Sequence, residues 1–172
     1  MQMNYCLYIL ENLKLRGCLK KMKNNIIIDK MSIDDLDSIK SVLQDEFDDF
    51  WNYNVFKEEL KNENSYYIIA KLEDNIVGFG GIWKAVDDVH ITNIVVKKNF
   101  RKLGIGNVIL EHLIKIGRNI KNMKSITLEV NDKNLPAINL YLKSGFKKVG
   151  LRKNYYGLDE NAIIMTLDLN NK

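Results

Sequence analysis

The segment Arg101-Lys102-Leu103-Gly104-Ile105-Gly106 constrains this chain more than any other. Before it runs Ile91-Thr92-Asn93-Ile94-Val95-Val96, a β-branched stretch that reads as a buried strand. After it, Val108, Ile109, Leu110, Leu113, Ile114 and Ile116 recur at helical spacing. A strand, a turn with two glycines and then a helix form a place to hold a phosphate. Without side chains at Gly104 and Gly106, a ligand can approach the main chain closely. The first N–H groups of the helix lack internal partners and point at it. The helix dipole favours negative charge there. Arg101 and Lys102 add positive charge at the same mouth. Two other phosphate-binding turns are excluded: no Gly-Lys-Ser/Thr follows, and no third glycine arrives at the dinucleotide-binding spacing. A bare tight turn is the bland alternative for a glycine pair before a helix.

The stretch from Ser125 to Phe146 extends the pattern. Ser125 to Val130 alternates as a strand, with Glu129 at its open end. Asn134 can cap a helix, and Pro136 sits near the first turn, where a missing N–H costs nothing. Ala137, Ile138, Tyr141 and Leu142 share one helical face, and Gly145 stops the helix.

The rest reads as one α/β domain from Asn25. Ile26 to Met31 is a strand, and Ser32 caps a helix carrying Ile33, Leu36, Ile39, Val42 and Leu43. Phe47 to Tyr53 is an aromatic, acidic loop, and Val55 to Lys61 is a short helix. Tyr66–Leu72 and Ile76–Lys84 form a hairpin around Asp74-Asn75, and Asp87-Asp88 turns into the strand that ends near Val96. Helix 104–120, strand 125–130 and helix 134–144 follow, then strands near 146–152 and 162–169. Strands that begin as a meander and end alternating with helices imply a mixed sheet.

Composition narrows the function classes. The 172 residues are 46% apolar and 28% charged, ordinary for a globular domain. Five basic residues (Lys14, Arg16, Lys20, Lys21 and Lys23) and Glu11 lie within residues 1–24 and account for the whole net charge of +4. The remainder is neutral, which gives no general basic bias suited to nucleic acid. No apolar run approaches the roughly 20 residues that span a bilayer. Cys6 and Cys18 suggest neither a disulfide framework nor a zinc site, and a reduced cytoplasmic setting fits. Leu7 to Leu10 is too short for a secretory signal and is interrupted by Glu11.

Taken together, these residues resemble the GNAT acetyltransferase superfamily. Within it the chain is most similar to the RimI-type N-terminal acetyltransferases of bacterial ribosomal proteins. The matching residues include Thr92 to Val96, Arg101 to Gly106, Leu128-Glu129-Val130, Asn134, Leu140-Tyr141, Gly145-Phe146, Arg152, Tyr155-Tyr156 and Ala162 to Met165. They span about residues 25–169. Residues 1–24 fall outside the resemblance, so Met22 is read as an alternative start; a docking or membrane-surface helix is the other reading.

The resemblance implies the GNAT fold: a mixed, mostly antiparallel sheet, splayed at the cofactor site and flanked by about four helices. It implies acetyl-CoA as co-substrate and no metal. The pantetheine arm would pair with main-chain groups around Ile94, Val95 and Val96. The pyrophosphate would sit on the turn Arg101, Lys102, Leu103, Gly104, Ile105, Gly106 and Asn107, and Asn134 would bond the pantetheine arm. Glu129 corresponds to the general base, and Tyr141 to the acid that protonates the departing sulfur. Trp51, Tyr155 and Tyr156 correspond to walls of the peptide slot. The acceptor implied is the α-amine of an alanine-starting small-subunit ribosomal protein (number eighteen), with no nucleic acid or membrane partner.

Read alone, Glu129 is a solvated strand-end carboxylate and Tyr141 a core tyrosine with its hydroxyl satisfied. The joint spacing of Glu129, Asn134 and Tyr141 favours the chemical reading. His90 is a second proton carrier or simply a strand-start histidine. Three departures fall on the substrate side: Phe50 precedes Trp51 where relatives often have proline, Asn131 stands where they often have arginine, and Glu160-Asn161 where they often have Glu-Asp. A small-amine acceptor is the competing expectation. Asp45, Glu46, Asp48 and Asp49 would supply an acidic pocket for a polycation.

Overall fold

The computed structural model describes residues 25–47 and 52–170. The chain runs β1 (Ile26–Lys30), α1 (Ile33–Ile39), α2 (Tyr53–Glu59), β2 (Ser65–Leu72), β3 (Asn75–Lys84), β4 (Asp88–Val96), α3 (Ile105–Asn119), β5 (Ser125–Asn131), α4 (Leu135–Lys143), β6 (Lys147–Gly157) and β7 (Glu160–Asp168). Ser32 caps α1 through a reciprocal box with Asp35. The predicted first helix breaks at Ile39 into a 3-10 turn, Lys40–Val42, and resumes for one turn, Leu43–Glu46. Asn52 accepts from the N–H of Asn54 and starts α2 two residues before its predicted position. No described helix is long and apolar enough to cross a membrane.

The strands form one sheet in the order β1-β2-β3-β4-β5-β7-β6. Every neighbouring pair is antiparallel except β4 and β5. This is the mixed, mostly antiparallel sheet that the resemblance implies. Helices α3 and α4 close one face over a core that includes Ile105, Ile109, Leu113, Ile138 and Phe146. Helices α1 and α2 close the other over Leu36, Phe47, Phe56, Ile69 and Phe79.

Close packing at two glycines shapes the centre of the sheet. A Cβ on Gly80 would lie 2.7 Å from Ile109 Cγ2, so α3 packs directly onto the main chain of β3. On the opposite face the Tyr67 ring lies flat on Gly81, where a Cβ would come within 2.2 Å of it. From there the Tyr67 hydroxyl reaches Thr92 Oγ1 at 3.0 Å. Thr92 is the extra residue of a bulge: Gly81 pairs with Asn93, and Ile82 pairs with Ile91. A bulge adds one residue to a strand whose side chains alternate, so it exchanges the faces beyond it. Val89 and Ile91 accordingly join the α3 core, whereas Val95 enters the α1–α2 core and Ile94 and Val96 turn towards α3.

The predicted boundaries miss at the C-terminal hairpin. The sequence suggests a loop at Tyr155-Tyr156 after a strand ending near Arg152. Instead β6 continues to Gly157, with both tyrosines in an irregular section between the pairs Arg152–Ala162 and Gly157–Glu160. The chain there never leaves the sheet edge; it bows away from β7 and returns.

Candidate active site

The bulge sits where two strands part. β4 and β5 pair only from Asp88 to Ile91, opposite Ser125 to Leu128. Beyond that point β4 stays with β3 as far as Val96, and β5 stays with β7 as far as Asn131. Main-chain groups along the far half of β4 therefore face a gap on the β5 side, where an extended ligand can pair with them. The gap is a groove of two lobes, of about 410 and about 330 Å³. Ile94, Asn134, Ala137 and Tyr141 line both.

The larger lobe ends on the glycine turn. Gly104 takes a left-handed φ of 83° and caps α3, a conformation that glycine adopts without strain. Its carbonyl accepts from the N–H groups of Asn107 (3.1 Å) and Val108 (3.3 Å). The N–H groups of Ile105 and Gly106 have no main-chain acceptor among the described residues and stand at the positive end of the α3 dipole. A Cβ on Gly106 would lie 3.7 Å from Leu140 Cδ2 and 3.8 Å from Val96 Cγ2, so this glycine keeps the passage between β4 and α4 open. These donors and this clearance fit a phosphate group.

The other predicted cofactor residues divide by what they can offer. Lys102 lines the lobe with a φ of 63°. Arg101 turns its Nε onto the Val96 carbonyl at 3.0 Å, which ties the turn to the end of β4. Ile105 is buried, Leu103 packs on the α3 core, and Val95 belongs to the opposite core, so these three can offer only main chain. Asn134 caps α4 by accepting the Ala137 N–H at 3.2 Å. Its amide nitrogen is a separate donor, so cap and ligand contact are compatible in one side chain.

The smaller lobe carries the titratable groups. Glu129 lies one residue past the last β4–β5 pair, and its side chain is 12% exposed. The Arg152 Nε meets Glu129 Oε1 at 3.1 Å. Tyr155 donates to the same carboxylate; that bond, then the carboxylate charge, raise its phenol above the usual range. Burial, then the charge of Glu129, raise the Tyr156 phenol. The two rings meet edge to face with centroids 5.1 Å apart, and the Arg152 guanidinium lies 5.5 Å from the centre of Tyr155. Tyr141 projects from α4 onto both lobes, packed against Phe146 at 5.8 Å. Burial, then Tyr156, push its phenol up to about 12.

The structure thus brings Glu129, Tyr141 and Tyr156 to one lobe and Asn134 to its junction with the glycine turn. Trp51, Asp48 and Asp49 lie outside the described residues. His90 pairs with Trp83 and Thr127 in the closed part of the sheet and lines neither lobe. Glu46 forms an ion pair with Lys97, and the Asp45 carbonyl accepts from Lys98 at 2.7 Å. Among the described residues no cluster of His, Cys, Asp and Glu could hold a metal ion.

Two residues of the site carry no predicted role from sequence. Arg152 reaches Glu129 only because β7 lies between β5 and β6, and no local pattern reveals that order. Thr92 makes the bulge, and its one signal is a polar residue inside a β-branched run.

Comparison with known proteins decides the family. Residues 33–146 match the acetyltransferase (GNAT) family model. The chain belongs to the GNAT acetyltransferase family. It is 31% identical over 151 residues to a Bacillus subtilis protein provisionally named a [ribosomal protein bS18]-alanine N-acetyltransferase, covering 87% of this chain and 99% of that one. It is 32% identical over 161 residues to an N-alpha-acetyltransferase of Sulfolobus acidocaldarius, covering 87% and 96%. The crystal structure of the Escherichia coli ribosomal-protein-S18-alanine N-acetyltransferase superposes with a TM-score of 0.74 at 27% identity, over 84% of this chain and 94% of that one. This GNAT chain is therefore an N-acetyltransferase similar to the RimI type.

Proposed function

We propose that this chain transfers acetyl from acetyl-CoA to the N-terminal amine of a protein, an alanine-starting small-subunit ribosomal protein like the one that its bacterial relatives are named for. The observation that carries this reading is the convergence of Glu129 and Tyr141 on one lobe beside the parted strands, with Tyr156 as a wall. Acetyl-CoA would lie along β4, with its pyrophosphate on the N–H groups at Ile105 and Gly106. The thioester would then fall at the junction of the lobes, beside Tyr141.

The reaction needs two proton movements. Glu129 takes a proton from the incoming amine, directly or through a water. The amine nitrogen bonds to the acetyl carbon, and the carbon–sulfur bond breaks. A peptide α-amine has a pKa of about 8, so the base need give only modest help. Tyr141 donates its hydroxyl proton to the departing sulfur. A free thiol has a pKa of about 8.5, well below the value near 12 of this phenol. Burial raises a thiol beside it as well, which narrows the gap that this transfer has to climb.

The acceptor lip favours a peptide over a polyamine. Arg152 already neutralises Glu129 there, so among the described residues the lobe offers no surplus negative charge to a polycation. Two flat phenol rings suit an extended backbone instead.

CoA release with a panel of acceptors tests the reading. Free hexapeptides starting with Ala, Ser, Thr and Met are compared with their N-terminally blocked forms and with spermidine. Turnover of the Ala-start peptide that vanishes on blocking is the expected result. Turnover of spermidine alone, or of blocked peptides through lysine, would move the acceptor to another class.

A further inference from the structure

The wall of the acceptor lobe hangs on a side chain that touches neither reacting group. Between the pairs Arg152–Ala162 and Gly157–Glu160, the segment Lys153, Asn154, Tyr155 and Tyr156 has only Asn161 opposite it. Such a bow leaves main-chain groups without ladder partners, and it would drift unless something else held it. Asn161 holds it. Its Oδ1 accepts the N–H of Asn154 at 3.1 Å. Its Nδ2 donates to Asp132 Oδ2 at 2.6 Å, and its own carbonyl accepts the Asp132 N–H at 2.9 Å. Asn154 in turn accepts the N–H of Asp159 at 3.0 Å and carries a left-handed φ of 55°. The side chain therefore bolts the bow to the loop between β5 and α4, the loop that also leads from Glu129 to Asn134.

We infer that Asn161 is the positioning residue of the acceptor slot: it fixes Asn154, and so sets where Tyr155 and Tyr156 stand over Glu129. The inference rests on the acceptor reading given above. The chemistry demands an amide. One bond needs an acceptor for an N–H, the other a donor for a carboxylate, and the asparagine amide supplies them on two separate atoms that reach two separate partners. Aspartate has the same shape and keeps the first bond. It has no donor for the second, and it sets two carboxylates against each other. Glu160 and Lys133 do not relieve this, because they are engaged with each other and with Asn131. Asp132 has its other oxygen, Oδ1, buried without a partner, so its anion depends on Asn161.

The test is Asn161→Asp, alone and combined with Asp132→Asn. The double variant restores one donor and one acceptor with their places exchanged. Steady-state kinetics give kcat and KM for the Ala-start hexapeptide and KM for acetyl-CoA. Hydrogen exchange of residues 153–157 reads the bow with no acceptor present. The single variant is expected to raise the peptide KM about tenfold, with kcat and the acetyl-CoA KM little changed. Its bow should exchange faster, and the double variant should recover both properties. A wild-type peptide KM and wild-type exchange in Asn161→Asp would overturn the inference. So would equal losses in kcat and both KM values, or a double variant no better than the single one. If the wild-type chain turns over no peptide, the acceptor reading fails by itself. The exchange arm then still decides the clamp: protection lost in the single variant and regained in the double supports it, and any other pattern refutes it.

Discussion

The two lobes of the groove are built on opposite plans. The larger lobe is made of main chain: a left-handed glycine, the N–H groups at Ile105 and Gly106, and the open edge of β4. Its β4 and glycine-turn parts lie close together in sequence between Ile94 and Asn107, α4 closes the other side, and α3 packs onto Gly78 and Gly80 behind them. The smaller lobe gathers side chains from separate elements, Glu129 of β5, Tyr141 of α4 and Tyr156 of β6, with Arg152 and Tyr155 against Glu129 at its lip. A polar network holds it in place of a helix end. A main-chain site reads any ligand of the right charge and width. A side-chain site discriminates, and it can change one residue at a time.

Filling Gly106 tests the first plan and should have the largest effect. A Cβ at position 106 meets only ordinary contacts in the ligand-free fold, and a melting curve checks that the fold persists in Gly106→Val. Its side chain would stand in the passage beside the exposed N–H groups. Losing two hydrogen bonds to a charged phosphate predicts acetyl-CoA binding weaker by about a hundredfold or more. Titration calorimetry reads this directly. Affinity within about twofold of wild type, with a normal melting curve, would dismiss the main-chain cradle. Gly104→Val is a poorer probe, because its positive φ makes any loss ambiguous with backbone strain.

Glu129→Gln tests the second plan. The amide keeps the shape and can still accept from Arg152 and Tyr155, but it cannot take a proton. Since the α-amine needs only modest help near its own pKa of about 8, kcat/KM should fall about tenfold at pH 8. The deficit should widen at pH 6, where most of the amine is protonated. Acetyl-CoA affinity should not move. Parallel pH–rate profiles for the two proteins would remove Glu129 as the base.

The same contrast explains what the sequence reveals. The glycine turn, the capping asparagine at 134 and the stop at Gly145 are local devices, and each lies where the pattern predicts. The order of the strands is not local. That β7 inserts between β5 and β6 depends on a C-terminal hairpin folding back, and the pairing of Arg152 with Glu129 follows from it. The bulge at Thr92 is equally hidden, since the partners that meet there, the Tyr67 ring of β2 and Gly81 of β3, are distant in sequence. The irregular part of β6 reads as a loop because its regularity is supplied by side chains, Asn161 above all. Glu129 and Tyr141 were legible as a spacing only because a strand and the helix after it always project near one another.

The smallest expected effect links the two cores at high pH. Tyr67 under the bulge and Tyr141 in the groove are both held near 12, burial being the first cause in each case. The unfolded chain releases these protons near 10. A folded-state pKa above the unfolded one contributes stability that is fully present below pH 10, then is lost as pH rises from there through about 12. Wild type should therefore lose stability between pH 10 and 12 more steeply than Tyr141→Phe, which has one such proton fewer to release. Other groups titrate in the same window, but they are common to both proteins and cancel in the difference. At pH 11 the excess drop in Tm should be about 2–4 °C for a chain of this size. Thermal melts by circular dichroism at pH 8 and pH 11 would measure it. An equal drop in both proteins would mean that the Tyr141 phenol is open to solvent. A solvent-open phenol would not be the sheltered proton donor proposed for the departing sulfur.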